Sequence, residues 1–204
     1  MNPKNKSPET SHSSVREYFQ GDTLKSYTHS KSMMHIQEKM TLRILQLSGA
    51  EPPALILDLG MGAGFSSVPL YMRGFTIIGM ELLWKMLIEY PISELNPIAG
   101  NMMHLVFREN LFDYIFSVSA FQWTYRHKGS FELIRFDEFA KSLNMILKIK
   151  GVLVFQLYES SESILDMIYS VFIRHGFSGK YILDNPQSKK KRKTYLYLRK
   201  VKSI

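Results

Sequence analysis

No cysteine occurs among the 204 residues, which excludes disulfides and every thiolate-ligated zinc or iron–sulfur centre. No stretch approaches the roughly 18 consecutive apolar residues of a membrane-spanning helix. The first 14 residues are polar and lack the apolar segment of a secretory signal. These absences predict a soluble, intracellular protein with no metal of its own. Acid is missing from one segment: after Lys189 there is none, while Lys189, Lys190, Lys191, Arg192, Lys193, Arg199, Lys200 and Lys202 account for the whole net charge of +8. An excess confined to one segment reads as a patch for a polyanion or as a solvated charged loop; spread evenly, it would chiefly report solubility.

With 45% apolar residues, the chain can build one sizeable core, so a single domain over 15–204 behind a flexible tail, 1–14, is expected. Met33, Ile36, Met40, Ile44 and Leu47 recur at three- and four-residue intervals, which predicts an amphipathic helix over 32–47. Beyond it, short runs rich in Ile, Val, Phe and Leu (54–59, 75–80, 96–100, 112–118, 151–157, 179–184, 194–198) alternate with helical segments at 65–73, 82–90, 131–148 and 160–175. That alternation predicts an α/β fold with helices on both faces of a seven-stranded, mostly parallel Rossmann-like sheet. The last two strands are separated by too few residues for a crossover, so the final strand must run antiparallel. This is the class I methyltransferase variant of the doubly wound fold.

The first strand ends in Asp58 and is followed by Gly60, Gly62 and Gly64, residues without Cβ where the backbone must turn and a ligand can approach. A dinucleotide fingerprint would need glycine at Phe65, and a phosphate loop would need Lys followed by Ser or Thr; neither is present. An acid opening the loop opposes phosphate and favours a cation, which points to S-adenosylmethionine. A bare structural turn is the competing reading. Glu81 ends the second strand, where nucleotide-binding folds place an acid on ribose hydroxyls, with Leu82 beside it. Asn101 and Met102 follow the third strand, suited to the edge and face of adenine. After the fourth strand comes Ser119-Ala120-Phe121-Gln122-Trp123, a loop that should face the methyl group; Ser119 is a candidate cofactor contact, and Phe121, Gln122 and Trp123 offer an aromatic platform beside an amide. That pairing suits a flat, polar-edged substrate such as a nucleobase, with core packing of the aromatics as the alternative. Tyr27 and Tyr158 are candidates for closing the site. If the sixth strand parallels the first, the basic loop Lys189, Lys190, Lys191, Arg192 and Lys193 lies on the same face, where it can bind phosphates.

Three blocks are more specific than the glycine loop. They are Lys25-Ser26-Tyr27-Thr28 with His35 through Arg43, then Ser119 through Trp123, and Gly176-Phe177-Ser178-Gly179 followed by Asp184 through Lys190. Over about Tyr18 to Leu198 the chain resembles the eukaryotic family that makes N7-methylguanosine in small-subunit ribosomal RNA, the Williams–Beuren-region and bud-site-selection methyltransferases. Met61, Glu81 and Asn101 stand where that family usually has Cys, Asp and Asp, and the family's long basic extension is not matched beyond Ile204. The resemblance implies a role in small-subunit biogenesis, with the pre-ribosome as partner and a location in the nucleus (nucleolus) and cytoplasm. It also implies a heterodimer with a small zinc-binding methyltransferase activator at the sheet edge. A short edge strand with Ile98 and Ala99, after a helix that carries more apolar residues than one face can bury, Trp84 and Ile88 among them, supplies such a surface; a fully buried helix is the competing reading. Rival readings are a same-fold methyltransferase acting on transfer RNA, protein or a small molecule, and a non-catalytic assembly factor.

Overall fold

A computed structural model describes residues 8–89, 93–127, 130–131, 136–159, 161–188 and 191–202. Of the expected tail, residues 1–7 lie outside the described residues, and Pro8–Ser11 form a single helical turn, α1. Two further short helices follow, α2 (Val15–Tyr18) and α3 (Gly21–Thr28). Ser14 caps α2 by accepting the Glu17 N–H, and Gly21, at φ +50°, opens α3 where the chain reverses.

The helix expected over 32–47 is α4 (Lys31–Ser48). The Ser30 hydroxyl accepts the Met33 N–H at its start, and Gly49 ends it in the left-handed conformation, the common way for a helix to stop. Its buried face is Gln37, Met40, Thr41, Ile44 and Ser48, whereas Ile36 is exposed. The stripe is therefore turned by about one residue from the apolar periodicity. Gln37 is drawn inward because its amide donates to the Tyr27 hydroxyl at 2.7 Å.

The sheet contains β1 (Leu55–Leu59), β2 (Thr76–Glu81), β3 (Pro97–Ala99), β4 (Phe112–Val118), β7 (Leu147–Leu157), β8 (Phe177–Asp184) and β9 (Lys193–Lys200), and a two-stranded ribbon of β5 (Arg126–His127) and β6 (Ser130–Phe131) lies apart. The order is β3-β2-β1-β4-β7-β9-β8. Neighbours pair in parallel except β9, which is antiparallel to both β7 and β8, as the short final connection requires. Helices α5 (Ser67–Tyr71), α6 (Trp84–Glu89), α7 (Phe136–Ile146) and α8 (Glu162–Arg174) connect the strands. The segment expected as one helix over 131–148 divides, because β7 already begins at Leu147.

Alternation along each strand builds two cores. Leu57, Leu153, Phe155, Leu196 and Leu198 face α7 and α8; Ile56, Phe116, Val152, Val154 and Tyr195 face α4. Arg43 of α4 donates from Nε and Nη2 to the two oxygens of Asp184, at 2.9 and 3.0 Å, which ties α4 to the carboxyl end of β8 by a forked pair. Lys200 corrects the simple charge count. Its ammonium is buried and donates to Asn110 Oδ1 and to the carbonyls of Asn144 and Leu147, and burial lowers its pKa. It stitches β9 to the end of α7 and takes no part in a surface patch.

Candidate active site

The carboxyl ends of β2, β1, β4 and β7 open into a cavity of about 1720 Å³, the position where open α/β sheets bind ligands. Its floor begins at the glycine turn. On leaving β1 the chain hooks over β2: the N–H groups of Gly60 and Met61 both donate to the Met80 carbonyl. Gly60, Gly62 and Gly64 all have positive φ. At Gly60 a Cβ would also lie 2.3 Å from that of Ala120, so glycine is needed for both conformation and room.

Asp58 sits beneath this turn and not on the cavity wall. It is fully buried, and Oδ2 accepts from the hydroxyls of Ser66 and Ser67, at 2.6 and 2.5 Å. These bonds hold the turn against the start of α5. Burial pushes its pKa up against those bonds, and Oδ1 has no partner among the described residues. The expected cofactor residue Asp58 thus lies behind the turn and off the cavity wall, where it acts on a cation through its charge and not by contact. Gly64 is likewise part of the turn and off the wall.

Glu81 does line the cavity. Oε2 accepts the Gly62 N–H at 2.9 Å and Oε1 the Leu83 N–H at 2.8 Å. The carboxylate is thus held by backbone N–H groups, with acceptor capacity left for a ligand hydroxyl. Burial raises its pKa; the N–H groups of Leu83, Gly62 and Leu82 pull the other way, and Asp58 adds to the rise. Leu82, Asn101 and Met102 continue the same wall. Asn101 is fixed by the Met103 N–H on its Oδ1.

The loop after β4 forms the opposite wall. Ser119, at φ +56°, donates from its hydroxyl to Gln156 Oε1 at 2.6 Å. Gln122 Nε2 donates to the Ser119 carbonyl at 2.9 Å, and Gln122 Oε1 is buried without a partner among the described residues. Trp123 reaches the cavity. Phe121 does not: it is fully buried among Tyr125, Phe136, Phe139, Phe155 and Phe172. The expectation that Phe121 stacks on a substrate is corrected, since a ring packed on all sides by other rings anchors the loop instead.

Of the roof, sequence reasoning singles out Tyr27 alone. Tyr18 and Phe19 line the cavity, with ring centroids 5.9 and 6.2 Å from that of Trp123, and Phe19 lies 5.0 Å from Tyr27. Val15, Phe19 and Tyr27 pack with Leu24, Leu83 and Met86, so α2 and α3 close over the glycine turn. The signal was present as apolar residues at three- and four-residue spacing, broken at Gln20-Gly21 into pieces too short for a periodicity reading. Tyr27 lies over Gly62, and its hydroxyl stays protonated because burial raises its pKa, an effect only partly offset by the Gln37 amide.

Tyr158, at the end of β7, lines the substrate end with Glu159 and Arg192, and the Lys193 ammonium lies 4.7 Å over the Tyr158 ring. Arg192 Nη2 donates to the Pro186 carbonyl at 2.7 Å, and its Nε is buried without a partner among the described residues. The basic loop therefore adjoins the cavity through Arg192 and Lys193, with Lys191 exposed beside them; Lys189 and Lys190 lie outside the described residues. At the far edge of the sheet, Trp84 and Ile88 are 54% and 62% exposed, next to exposed Ile98 and Ala99 of β3.

The family model described as a methyltransferase domain matches residues 57–155. The chain is 31% identical over 180 residues to the 18S rRNA (guanine-N(7))-methyltransferase bud23 of Schizosaccharomyces pombe, covering 84% of this chain and 66% of that protein. It is 32% identical over 188 residues to the 18S rRNA (guanine-N(7))-methyltransferase of Bos taurus, covering 89% and 67%. The chain thus spans about two thirds of the length of these relatives. Among solved structures, the Haloferax volcanii complex between the Trm112 methyltransferase activator and a methyltransferase matches with a TM-score of 0.66 at 15% identity, over 94% of this chain and 99% of that one. That likeness bears on the fold.

Proposed function

The chain belongs to the 18S ribosomal RNA (guanine-N7)-methyltransferase family, and from that premise we propose that it transfers a methyl group from S-adenosylmethionine to N7 of a guanosine in small-subunit ribosomal RNA. The observation that carries this reading is the sharing of one cavity by the glycine turn and the Ser119–Trp123 loop. A donor site and a flat-ring site thereby face each other.

The residues fit the donor. Glu81 presents acceptor capacity for ribose hydroxyls, Asn101 and Met102 flank an adenine position, and Gly60 and Gly62 lie on the cavity wall. When bound, S-adenosylmethionine supplies an electrophilic methyl group on a sulfonium. Asp58 and Glu81 place two carboxylates under that positive charge, a match that water-excluded surroundings strengthen.

Guanine N7 carries a free lone pair at neutral pH, so no general base is needed and catalysis reduces to positioning. Trp123, backed by Tyr18 and Phe19, offers its face to the base. Gln122 gives one amide hydrogen to Ser119 and keeps another, suited to the guanine O6 beside N7. A stacked guanosine cannot enter such a cavity, so the target is flipped out or already unpaired. Arg192 and Lys193, with Lys189, Lys190 and Lys191, hold the flanking phosphates. The zinc-binding activator docks on Trp84, Ile88, Ile98 and Ala99, where an unpaired strand edge adjoins exposed apolar side chains. The location that follows is the nucleolus and the cytoplasm, where small subunits are made.

The test is co-expression with the activator, followed by transfer of labelled methyl to purified small subunits and, in parallel, to transfer RNA. Label at guanine N7 in small subunits alone supports the proposal. Label in transfer RNA alone, or no calorimetric binding of S-adenosylmethionine by the complex, overturns it.

A further inference from the structure

Glu159 is a carboxylate at the substrate end of the cavity that the reading above leaves without work. It is only 4% exposed and lies on the cavity wall immediately after β7. Its position is fixed at both ends: the Ser161 N–H donates to Oε1 at 2.9 Å, and the Thr194 hydroxyl donates to its main-chain carbonyl at 3.1 Å. A buried acid held this firmly on a wall can accept hydrogen bonds from a ligand with little competition from water. Asp22, the other carboxylate on the substrate side of the wall, is exposed on α3 and lacks that advantage.

The topology supplies the direction. β4 and β7 are parallel neighbours with Val118 opposite Gln156, and the Ser119 N–H donates to the Gln156 carbonyl. Adjacent strands lie about 4.8 Å apart, so the residues that follow β4 and β7 meet side by side on the cavity wall. A guanine that turns N7 and O6 toward the β4 loop presents its N1–H and exocyclic amine on its other side. Guanine alone among the four bases offers two adjacent donors there; adenine and cytosine place a lone pair at the equivalent position. An ionised carboxylate only accepts. It therefore bonds to guanine twice and repels the alternatives.

We propose that Glu159 is the residue that selects guanine, accepting hydrogen bonds from N1–H and the exocyclic amine of the base whose N7 is methylated; this rests on the function proposed above. The experiment uses the full chain with its activator and a small-subunit RNA fragment transcribed with guanosine or with inosine throughout. Inosine keeps N7 and N1–H and lacks the exocyclic amine. Loss of one hydrogen bond to a charged acceptor corresponds to about 10- to 100-fold in kcat/KM, so the wild-type chain should prefer guanosine RNA by that factor. Glu159→Gln keeps an acceptor for the Ser161 N–H and turns a donor toward the base, so the preference should fall to one or below. Any effect of inosine on RNA folding cancels in the ratio between the two enzymes. Calorimetric binding of S-adenosylmethionine should be unchanged by the substitution. A guanosine preference as large in the variant as in the wild type overturns the assignment. Absence of methylation of both RNAs by the wild-type complex instead overturns the function on which it rests.

Discussion

Gly60 offers a way to separate backbone strain from steric exclusion, because Gly49 supplies an internal control. Both have positive φ, +76° and +63°, a conformation that costs an L-residue about 1–2 kcal/mol. A Cβ at Gly49 would meet nothing within 4 Å; at Gly60 it would lie 2.3 Å from the Ala120 Cβ and 3.1 Å from the Met102 Cε. The first neighbour is anchored to the main chain and cannot swing away, so overpacking adds about 1–3 kcal/mol. Gly49→Ala should therefore lower stability by about 1–2 kcal/mol and Gly60→Ala by about 2–5 kcal/mol. For a chain of this size each kcal/mol is worth roughly 2–4 °C in Tm.

Thermal unfolding of the two variants against the wild type measures the difference directly. Gly60→Ala should also weaken S-adenosylmethionine binding and slow methyl transfer, because the displaced Ala120 carries Gln122 and Trp123 with it, while Gly49→Ala should leave both alone. Equal melting temperatures for the two variants, with binding retained in each, would refute the claim that the turn and the β4 loop are fitted to each other through the missing Cβ.

Other consequences are as direct. Asp58 and Glu81 have folded pKa values raised by burial, so the stability they contribute is full below the unfolded carboxylate value of about 4 and is lost as pH rises through their raised folded values. A cationic ligand binds the ionised pair, so the Tm increment given by S-adenosylmethionine should grow with pH over that window; an increment flat in pH counts against a role for their charge. Trp84→Glu with Ile88→Glu should leave the stability of the isolated chain within about 1 kcal/mol of wild type, as expected at exposed positions, while abolishing co-purification with the activator; retained co-purification would move the docking site elsewhere. Lys200→Met should destabilise by about 2–4 kcal/mol, because it strands buried acceptors, and should leave the salt dependence of RNA binding unchanged. Arg192→Ala and Lys193→Ala should each reduce that salt slope by about 1. A salt slope altered by Lys200→Met would return that residue to the patch.

Most of the sheet was legible because buried parallel strands read as short, continuous apolar runs, and the number of residues between the last two strands admits only an antiparallel return. The helices were legible in existence and less so in extent. Pro69 and the early start of β7 shorten segments that periodicity alone extends. The rotation of α4 escaped because apolar spacing cannot register that a glutamine will be buried when a tyrosine hydroxyl from another helix offers it a partner. The roof escaped for a related reason. Helices of four and eight residues are marginal by themselves and exist here because Phe19, Leu24 and Tyr27 pack onto α6 and the glycine turn, a tertiary cause that their interrupted apolar spacing does not reveal.

The basic segment shows a signal that was present but went unused. Counting charge treats Lys193 and Lys200 alike, yet strand periodicity does not. In β9, Leu196 and Leu198 face the α7–α8 core, and Lys200 continues the same two-residue phase. Its ammonium consequently meets the carbonyls of Asn144 and Leu147 and the Asn110 side chain and is withdrawn from any polyanion. Arg199, one residue out of phase, is exposed, but it lies near the amino end of the parallel strands, because β9 runs opposite to them. Among the described residues of the basic segment, the cations beside the cavity are those at the start of β9, Arg192 on the cavity wall and Lys193 over the Tyr158 ring.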